Sequence, residues 1–348
     1  MTKKKLRCAV IGLGMGKSHC RSFHSHPDAE LVAVVDKQPE RLDEWKEVVG
    51  AGGQYDDHLK MLEKVQPDVV GTALPNFLHA SVAIDALKAG AHVFGEKPMA
   101  MTVAECREMI AAAERADRQL GINLSYRATP AAQALKDLAD DGFLGEPYHA
   151  YTRWTRRDGF PGFGGWFGQK KLSGGGPLID LGVHRIDLAM WLMGNPQPLT
   201  VSGQAHRKIG IPRAKEQGKD FDVEDLAAGF VRFDNGASLV FEISWAGHQN
   251  WKEDQFTRVM GTEGALVQRN TDGNYTFTAE AFNRVGDITL NLRPYEATGA
   301  NQPARFIDAV RDGTPFNPAG HDGLRMQEIL EGLYRSARES REIQVSEL

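Results

Sequence analysis

The sequence predicts an N-terminal α/β domain with a parallel sheet, followed by an α+β domain with a large, mostly antiparallel sheet. Three observations carry this. The 348 residues exceed one ordinary domain. Up to about residue 125, short apolar runs alternate with amphipathic helical stretches, and strand-helix-strand repetition means parallel strands joined by right-handed crossovers. After about residue 145, segments of alternating apolar and polar residues follow one another, as half-buried strands do.

In the first domain, residues 1–125, strands are expected at Leu6 to Ile11, Leu31 to Val35, Asp68 to Ala73, His92 to Phe94 and Leu120 to Leu124. Helical spacing marks Glu40 to Val49, Leu59 to Val65, Leu78 to Ala89 and Val103 to Ala116. In the second, residues 126–348, the expected strands are Tyr148 to Trp154, Leu226 to Phe233, Ala237 to Trp245 and Phe256 to Met260. Asp234-Asn235-Gly236 between two of them signals a hairpin, because Asn-Gly tolerates the positive φ angles of tight turns. Helices at Pro177 to Met193, Ala304 to Arg311 and Asp322 to Arg338 interrupt the sheet, and the C-terminal ones are available to pack back on the first domain.

Composition narrows the function classes. With 41 basic and 46 acidic residues the net charge is -5, so no strongly basic surface is expected and nucleic acid is not an expected partner. The start Met1-Thr2-Lys3-Lys4-Lys5 leads into an apolar stretch that contains Arg7 and meets glycines at once, too short for a signal core. No uninterrupted apolar span is long enough for a bilayer, so a cytoplasmic protein without membrane contact is expected. Cys8, Cys20 and Cys106 form no CxxC and no metal-like spacing, which suits reduced, buried thiols and no metal.

Chemistry first shows at Gly12-Leu13-Gly14-Met15-Gly16, which closes an apolar strand and opens a helix. Glycines there let the backbone approach a pyrophosphate, and the amides at the helix start face its charge, the arrangement of a Rossmann dinucleotide site. In the GxGxxG pattern the third glycine would fall on Lys17; the glycine present is Gly16. The second strand ends in Asp36, where a carboxylate accepts from the adenosine ribose hydroxyls and favours NAD. Lys37 beside it offers a cation to a 2′-phosphate, which leaves NADP open. An ordinary turn and a capping aspartate are the alternatives.

Gly95-Glu96-Lys97-Pro98 follows the strand at His92 directly and so stands at the carboxyl edge of the sheet, where ligands of open α/β folds bind. Lys97, partly desolvated there, suits a proton donor; a surface lysine paired with Glu96 is the alternative. Further on, Gly174-Gly175-Gly176-Pro177 leads into a helix with Asp180, His184 and Asp187 at i, i+4 and i+7, on one face. An imidazole beside a carboxylate can take a hydroxyl proton as hydride leaves the same carbon. A metal site, or a structural role with Asp180 tying the glycine loop, are the competing readings of that face.

Taken together these runs, with Ala73-Leu74-Pro75-Asn76-Phe77-Leu78-His79 and Phe306 to Arg338, resemble the Gfo/Idh/MocA oxidoreductases over nearly the whole chain. The resemblance implies that Lys97 and His184 handle the proton while Asp180 positions or polarises them. It implies that Pro75, Asn76, His79 and Glu96 line the nicotinamide half of the cofactor site and that the Lys97-Pro98 bond is cis. Family members often carry arginine after the loop tryptophan, whereas Phe167 follows Trp166 here.

The implied substrate is small and polyhydroxylated: a pyranose, glycoside or cyclitol, with an acidic sugar left open. Trp154, Trp166 and Trp251 offer flat faces to a sugar ring, and Tyr126, Arg127, Arg153, Arg156 and His248 offer hydrogen bonds to hydroxyls. A homodimer or homotetramer through the C-terminal sheet is also implied. A dinucleotide-sensing regulatory protein without turnover, and a reductase of a non-sugar carbonyl compound, are the other functions this scaffold supports. The presence of Lys97, Asp180 and His184 argues against the first of these.

Overall fold

Cys8 to Ile11 of the first strand, β1 (Leu6–Ile11), are all buried, and a strand buried on both faces needs helices above and below it. The computed structural model, which describes residues 4–290 and 301–348, supplies them. After β1 come α1 (Lys17–Ser25), β2 (Ala29–Val35), α2 (Pro39–Asp43), α3 (Lys46–Val49), β3 (Gln54–Tyr55), α4 (His58–Val65) and β4 (Val69–Thr72). Then follow α5 (His79–Lys88), β5 (His92–Gly95), α6 (Val103–Ala116) and β6 (Leu120–Ile122). The six strands pair in parallel in the order β3-β2-β1-β4-β5-β6. The chain reverses direction of winding between β1 and β4, and the crevice at their carboxyl ends is where such sheets bind ligands.

Local chemistry sets the helix ends. Thr102 and Glu105 close a reciprocal capping box on α6, and Asp57 caps α4 by accepting from the Lys60 amide. The single helix expected over Glu40 to Val49 is instead two short ones. Between them Trp45 turns into the apolar core with Cys20, Phe23 and Leu31, and one straight surface helix would not deliver its ring there.

The second half begins with α7 (Pro130–Asp140), β7 (Pro147–Arg156), α8 (Lys170–Ser173), α9 (Val183–Leu192), β8 (Pro198–His206) and α10 (Gly210–Glu216). It continues with β9 (Leu226–Phe233), β10 (Ser238–Ser244), β11 (Glu253–Gly261), β12 (Gly264–Asn270), β13 (Phe277–Asn283) and β14 (Asp287–Thr289). The chain ends in α11 (Gln302–Asp312), α12 (Gly320–Glu339) and β15 (Ile343–Gln344). Nine strands form one sheet in the order β14-β13-β12-β11-β7-β10-β9-β8-β15, antiparallel except where β7 and β10 run parallel. Side chains alternate across it as in any strand. Trp154, Phe241 and Ile243 lie buried towards the helices, and Tyr151, Arg153 and Val240 face the other way.

The β9–β10 hairpin forms at the expected Asp234-Asn235-Gly236, with positive φ at Gly236 alone (83°) while Asn235 Oδ1 accepts from the Ala237 amide. β3, β8, β12, β13, β14 and β15 were not expected from the alternation of side chains. The helix expected over Pro177 to Met193 starts with a widened, π-helical turn at Leu178–Gly182 before α9.

The chain separates into two compact units, Met1–Asn123 with Asn301–Leu324, and Leu124–Ala300 with Arg325–Leu348. In the first, Phe306 of α11 packs on Phe94 of β5 at 5.5 Å between ring centroids. Residues 1–3 of the lysine-rich start, and residues 291–300 of the expected second domain, lie outside the described residues. All three cysteines are free and fully buried, and burial pushes the thiols of Cys8 and Cys20 up to about 12.

Candidate active site

In the first unit the chain leaves β1 through Gly12, whose amide donates to Val35 O at 2.8 Å and whose φ is 89°. A Cβ there would lie 2.3 Å from Ala73 O, so only glycine fits between the ends of β1 and β4. A Cβ on Gly16 would lie 2.0 Å from Gly12 O and 3.0 Å from Val10 Cγ1. The close helix-strand contact that the sequence pattern reserves for a third glycine therefore falls on Gly16, and Lys17 does not break the loop. Gly14 faces open space apart from Arg41 Nη1 at 3.7 Å, and Met15 is 73% exposed. α1 has no side-chain cap and no acid in its first turn, so its leading amides have no side-chain acceptor.

Asp36 at the end of β2 is locked to this loop, accepting from the Leu13 amide at 2.7 Å and the Gln38 amide at 2.9 Å. Arg41 Nη1 stands 3.4 Å from the same carboxylate, and Lys37 is exposed. The open side of Gly14, the uncapped amides and the fixed carboxylate fit a dinucleotide: pyrophosphate at the helix start, ribose at Asp36.

At the neighbouring strand ends, the Glu96 amide donates to Thr72 O (3.1 Å), keeping the segment after β5 against β4. Glu96 Oε1 meets His19 Nε2 at 2.9 Å and accepts from Asn123 Nδ2 at 2.8 Å. Burial opposes the charge on Glu96, but His19 and Asn123 outweigh it and hold its carboxyl below the usual range. Lys97 follows, half-buried, and its bond to Pro98 is cis. The His79 ring lies 2.7 Å from Pro98 O and 2.8 Å from Leu74 O, tying the loop that carries Pro75 and the buried Asn76 to the one that carries Lys97. His79 is itself buried, and burial pushes its pKa down against the pull of the two carbonyls. Its place in the structure is a brace between two loops.

In the second unit the reason for the glycine run before Asp180 is visible. Glu224 accepts from the Gly176 amide (2.9 Å), the Leu178 amide (3.2 Å) and Tyr334 Oη (2.8 Å), capping the widened turn from outside its own segment. A Cβ on Gly175 would lie 1.9 Å from Tyr334 Oη, and one on Gly176 would lie 2.2 Å from Glu224 O. Burial pushes the Glu224 carboxyl up despite these donors. Within the turn, Asp180 Oδ2 accepts from the indole of fully buried Trp245 at 3.1 Å. Trp245 packs against Phe160 and Phe167 at 6.1 and 6.0 Å, so the loop after β7 and Asp180 share one support.

The His184 ring lies tilted against Tyr126 (4.8 Å between centroids, 36° between planes) and near Trp154 (6.1 Å). Asp187 does not join it. Its carboxylate takes both oxygens to the Arg127 guanidinium, with Arg127 Nε 2.9 Å from Oδ2 and both side chains 3% exposed. The structure thus places Asp180 in the widened turn, His184 in α9 beside Tyr126, and Asp187 on Arg127. Arg127 is thereby an internal partner of Asp187. Arg153, on the sheet face away from Trp154 and His184, is held by Asp254 at 2.9 Å. Arg156 lies on the His184 side, bonded to Glu253 and Tyr275 Oη. Tyr126 Oη donates to Gln255 at 3.2 Å, and burial pushes its phenol up. Trp166 packs on Phe167 at 4.8 Å; Trp251 and His248 are exposed and join none of these groups.

His19, Asn123, Glu224, Tyr334 and Trp245, which hold the expected residues in place, were not among the expected site residues, nor was fully buried Arg185. His19 follows the glycine loop in the first turn of α1 and Glu224 sits in an acidic pair ahead of β9, which are the only local signals they give. Among the described residues no group of three His, Cys, Asp or Glu side chains is placed to hold a metal, and no helix is long and apolar enough to cross a membrane.

Comparison with known proteins gives the family. Residues 6–124 match the oxidoreductase family model with an NAD-binding Rossmann fold, and residues 132–267 match the GFO/IDH/MocA C-terminal domain. The chain belongs to the GFO/IDH/MocA oxidoreductase family. Within it, the chain is 34% identical to the D-glucoside 3-dehydrogenase of Escherichia coli (strain K12), over 97% of each chain. It is 28% identical to the myo-inositol 2-dehydrogenase of Thermotoga maritima, over 99% of each. The solved structure of GenD2 from gentamicin A biosynthesis in complex with NAD is similar with a TM-score of 0.81 and 26% identity, covering 99% of this chain and 97% of that one. The family member described here is an oxidoreductase with an NAD-binding domain.

Proposed function

We propose that this protein is an NAD-dependent dehydrogenase of a secondary hydroxyl on a sugar ring, with a D-glucoside the leading substrate class. The observation that carries it is the placement of Asp180 and His184: Trp245 and Glu224 hold the turn that carries Asp180, and the rings of Tyr126 and Trp154 flank His184. The likeness to a D-glucoside 3-dehydrogenase along 97% of the chain supports the substrate class.

When bound, NAD supplies the hydride acceptor. The glycine loop and the α1 amides hold its pyrophosphate, and Asp36 takes the ribose hydroxyls and repels a 2′-phosphate, which selects NAD over NADP. His184 and Lys97 handle the hydroxyl proton: one of them, unprotonated, takes it as the carbon loses hydride and the C–O bond becomes a carbonyl. Asp180 stabilises the positive charge that this creates. In reverse, the protonated group returns its proton to the carbonyl oxygen, and cellular cofactor ratios decide the direction.

The test is nicotinamide absorbance with D-glucosides, free sugars and cyclitols, for wild type, Lys97→Ala and His184→Ala. Each substitution is expected to lower kcat by about 10²–10⁴-fold while NAD binding persists. Tight NAD binding with no turnover of any substrate would favour a dinucleotide sensor.

Self-association belongs to the same proposal. Phe230, Val240 and Tyr151 stand in direct cross-strand register on the sheet face away from α9, half-buried in one chain, with Phe256 beside Tyr151 at 6.0 Å. That stripe suits a second copy in a homodimer or homotetramer. Light scattering is expected to give a dimer or tetramer.

A further inference from the structure

We propose that a cleft beside Tyr126 is an aglycone subsite, taking an uncharged aromatic group attached to the sugar that His184 serves. The inference rests on the glucoside assignment above and says which part of the substrate the second unit recognises.

The cleft has a volume of about 410 Å³ and is bounded by Ser125, Tyr126, Thr129, Pro130, Tyr275 and Phe277. Among the described residues no charged side chain lines it, so a carboxylate or phosphate placed there would lose its water without gaining a partner. The lining is instead three aromatic rings, two of them phenols, with Pro130 and the hydroxyls of Ser125 and Thr129, which suits a neutral, largely apolar group.

Position ties the cleft to the reaction centre. Tyr126 belongs to both: its ring lies 4.8 Å from His184 and 5.9 Å from Phe277. Trp154 repeats the link, 6.1 Å from His184 and 6.1 Å from Tyr275. The cleft and His184 therefore share the rings of Tyr126 and Trp154 as neighbours, which places the cleft beside a pyranose whose hydroxyl meets His184.

Arg185 adds the preference for an aromatic occupant. Fully buried, it bonds the amide oxygens of Gln268 and Gln255 at 2.6 and 2.5 Å, and its guanidinium carbon is 4.9 Å from the ring centroids of both Tyr126 and Phe277. A cation held against those rings draws electron density from them. They then favour an electron-rich ring over the C–H faces of a second sugar, which carry partial positive charge. Tyr275 lines the cleft and is 54% exposed, a ring face that such a group would cover.

The experiment compares phenyl and methyl D-glucosides with NAD for wild type and Tyr275→Ala, by steady-state kinetics and by saturation-transfer NMR. Wild type is expected to show kcat/KM for the phenyl glucoside about tenfold above that for the methyl glucoside, and Tyr275→Ala to bring the ratio near one. Saturation is expected to concentrate on the phenyl protons in wild type and to fall in the variant. Equal kcat/KM for the two glucosides, or saturation confined to sugar protons, would overturn the subsite while leaving the dehydrogenase assignment intact. Turnover of neither glucoside, with saturation still concentrated on the phenyl ring, would overturn the dehydrogenase assignment and support the cleft.

Discussion

Fully buried Trp245 gives Asp180 an indole donor at 3.1 Å. A hydrogen bond to a charged acceptor contributes about 1.5–3 kcal/mol, so Trp245→Phe, which keeps the ring packing and removes the donor, is expected to lower kcat at least tenfold. The KM for NAD should not move, and an unchanged kcat would contradict the role. Glu96 carries a different signature. Its folded pKa lies below the unfolded carboxylate value of about 4.3, so the contacts from His19 and Asn123 stabilise the fold above that pH. This contribution is lost as pH falls through the folded value. Urea unfolding from pH 7 to 3 should show wild type losing stability more steeply below about pH 4.3 than Glu96→Gln; equal slopes would contradict it. At the cofactor loop, Asp36→Ser removes the carboxylate and frees Arg41 for a 2′-phosphate. The ratio of kcat/KM for NADP over NAD is expected to rise at least tenfold, and a ratio that does not move would remove Asp36 as the selecting group. The residues legible in the sequence were those whose chemistry is local, such as the glycine loop and the Glu-Lys-Pro run. Their supports were not, because His19 with Glu96 and Trp245 with Asp180 meet only through the fold.

On the scale of elements, the widened turn at Leu178–Gly182 and its cap by Glu224 set where Asp180 and His184 stand. Gly176→Ala would drive a methyl group against the Glu224 carbonyl, a backbone atom that cannot step aside. The expected cost is about 1–3 kcal/mol of stability, read as a lower denaturation midpoint, together with reduced kcat; a midpoint at the wild-type value would contradict the packing described. Sequence spacing could not show this turn, because i, i+4, i+7 assumes a regular helix throughout. Asp187 accordingly went to Arg127 and not to His184. The strands missed were β3, β8, β12, β13, β14 and β15. In β12, Leu266, Val267 and Gln268 are buried in succession under neighbouring elements, so the two-residue alternation that reveals a half-buried strand is absent.

At the scale of the molecule, the order of elements was legible because each half has its own periodicity, parallel βα repeats and then alternating strands. The return of Asn301–Leu324 to the first unit was less so, since Phe306 and Phe316 find Phe94 across two hundred residues of chain. The most direct test of the central claim is nicotinamide absorbance on purified wild type and His184→Ala with NAD and a D-glucoside. NADH formation by wild type that falls by about 10²-fold or more in His184→Ala, with NAD affinity unchanged, is the predicted result. Turnover that persists at the wild-type rate in His184→Ala would contradict the account.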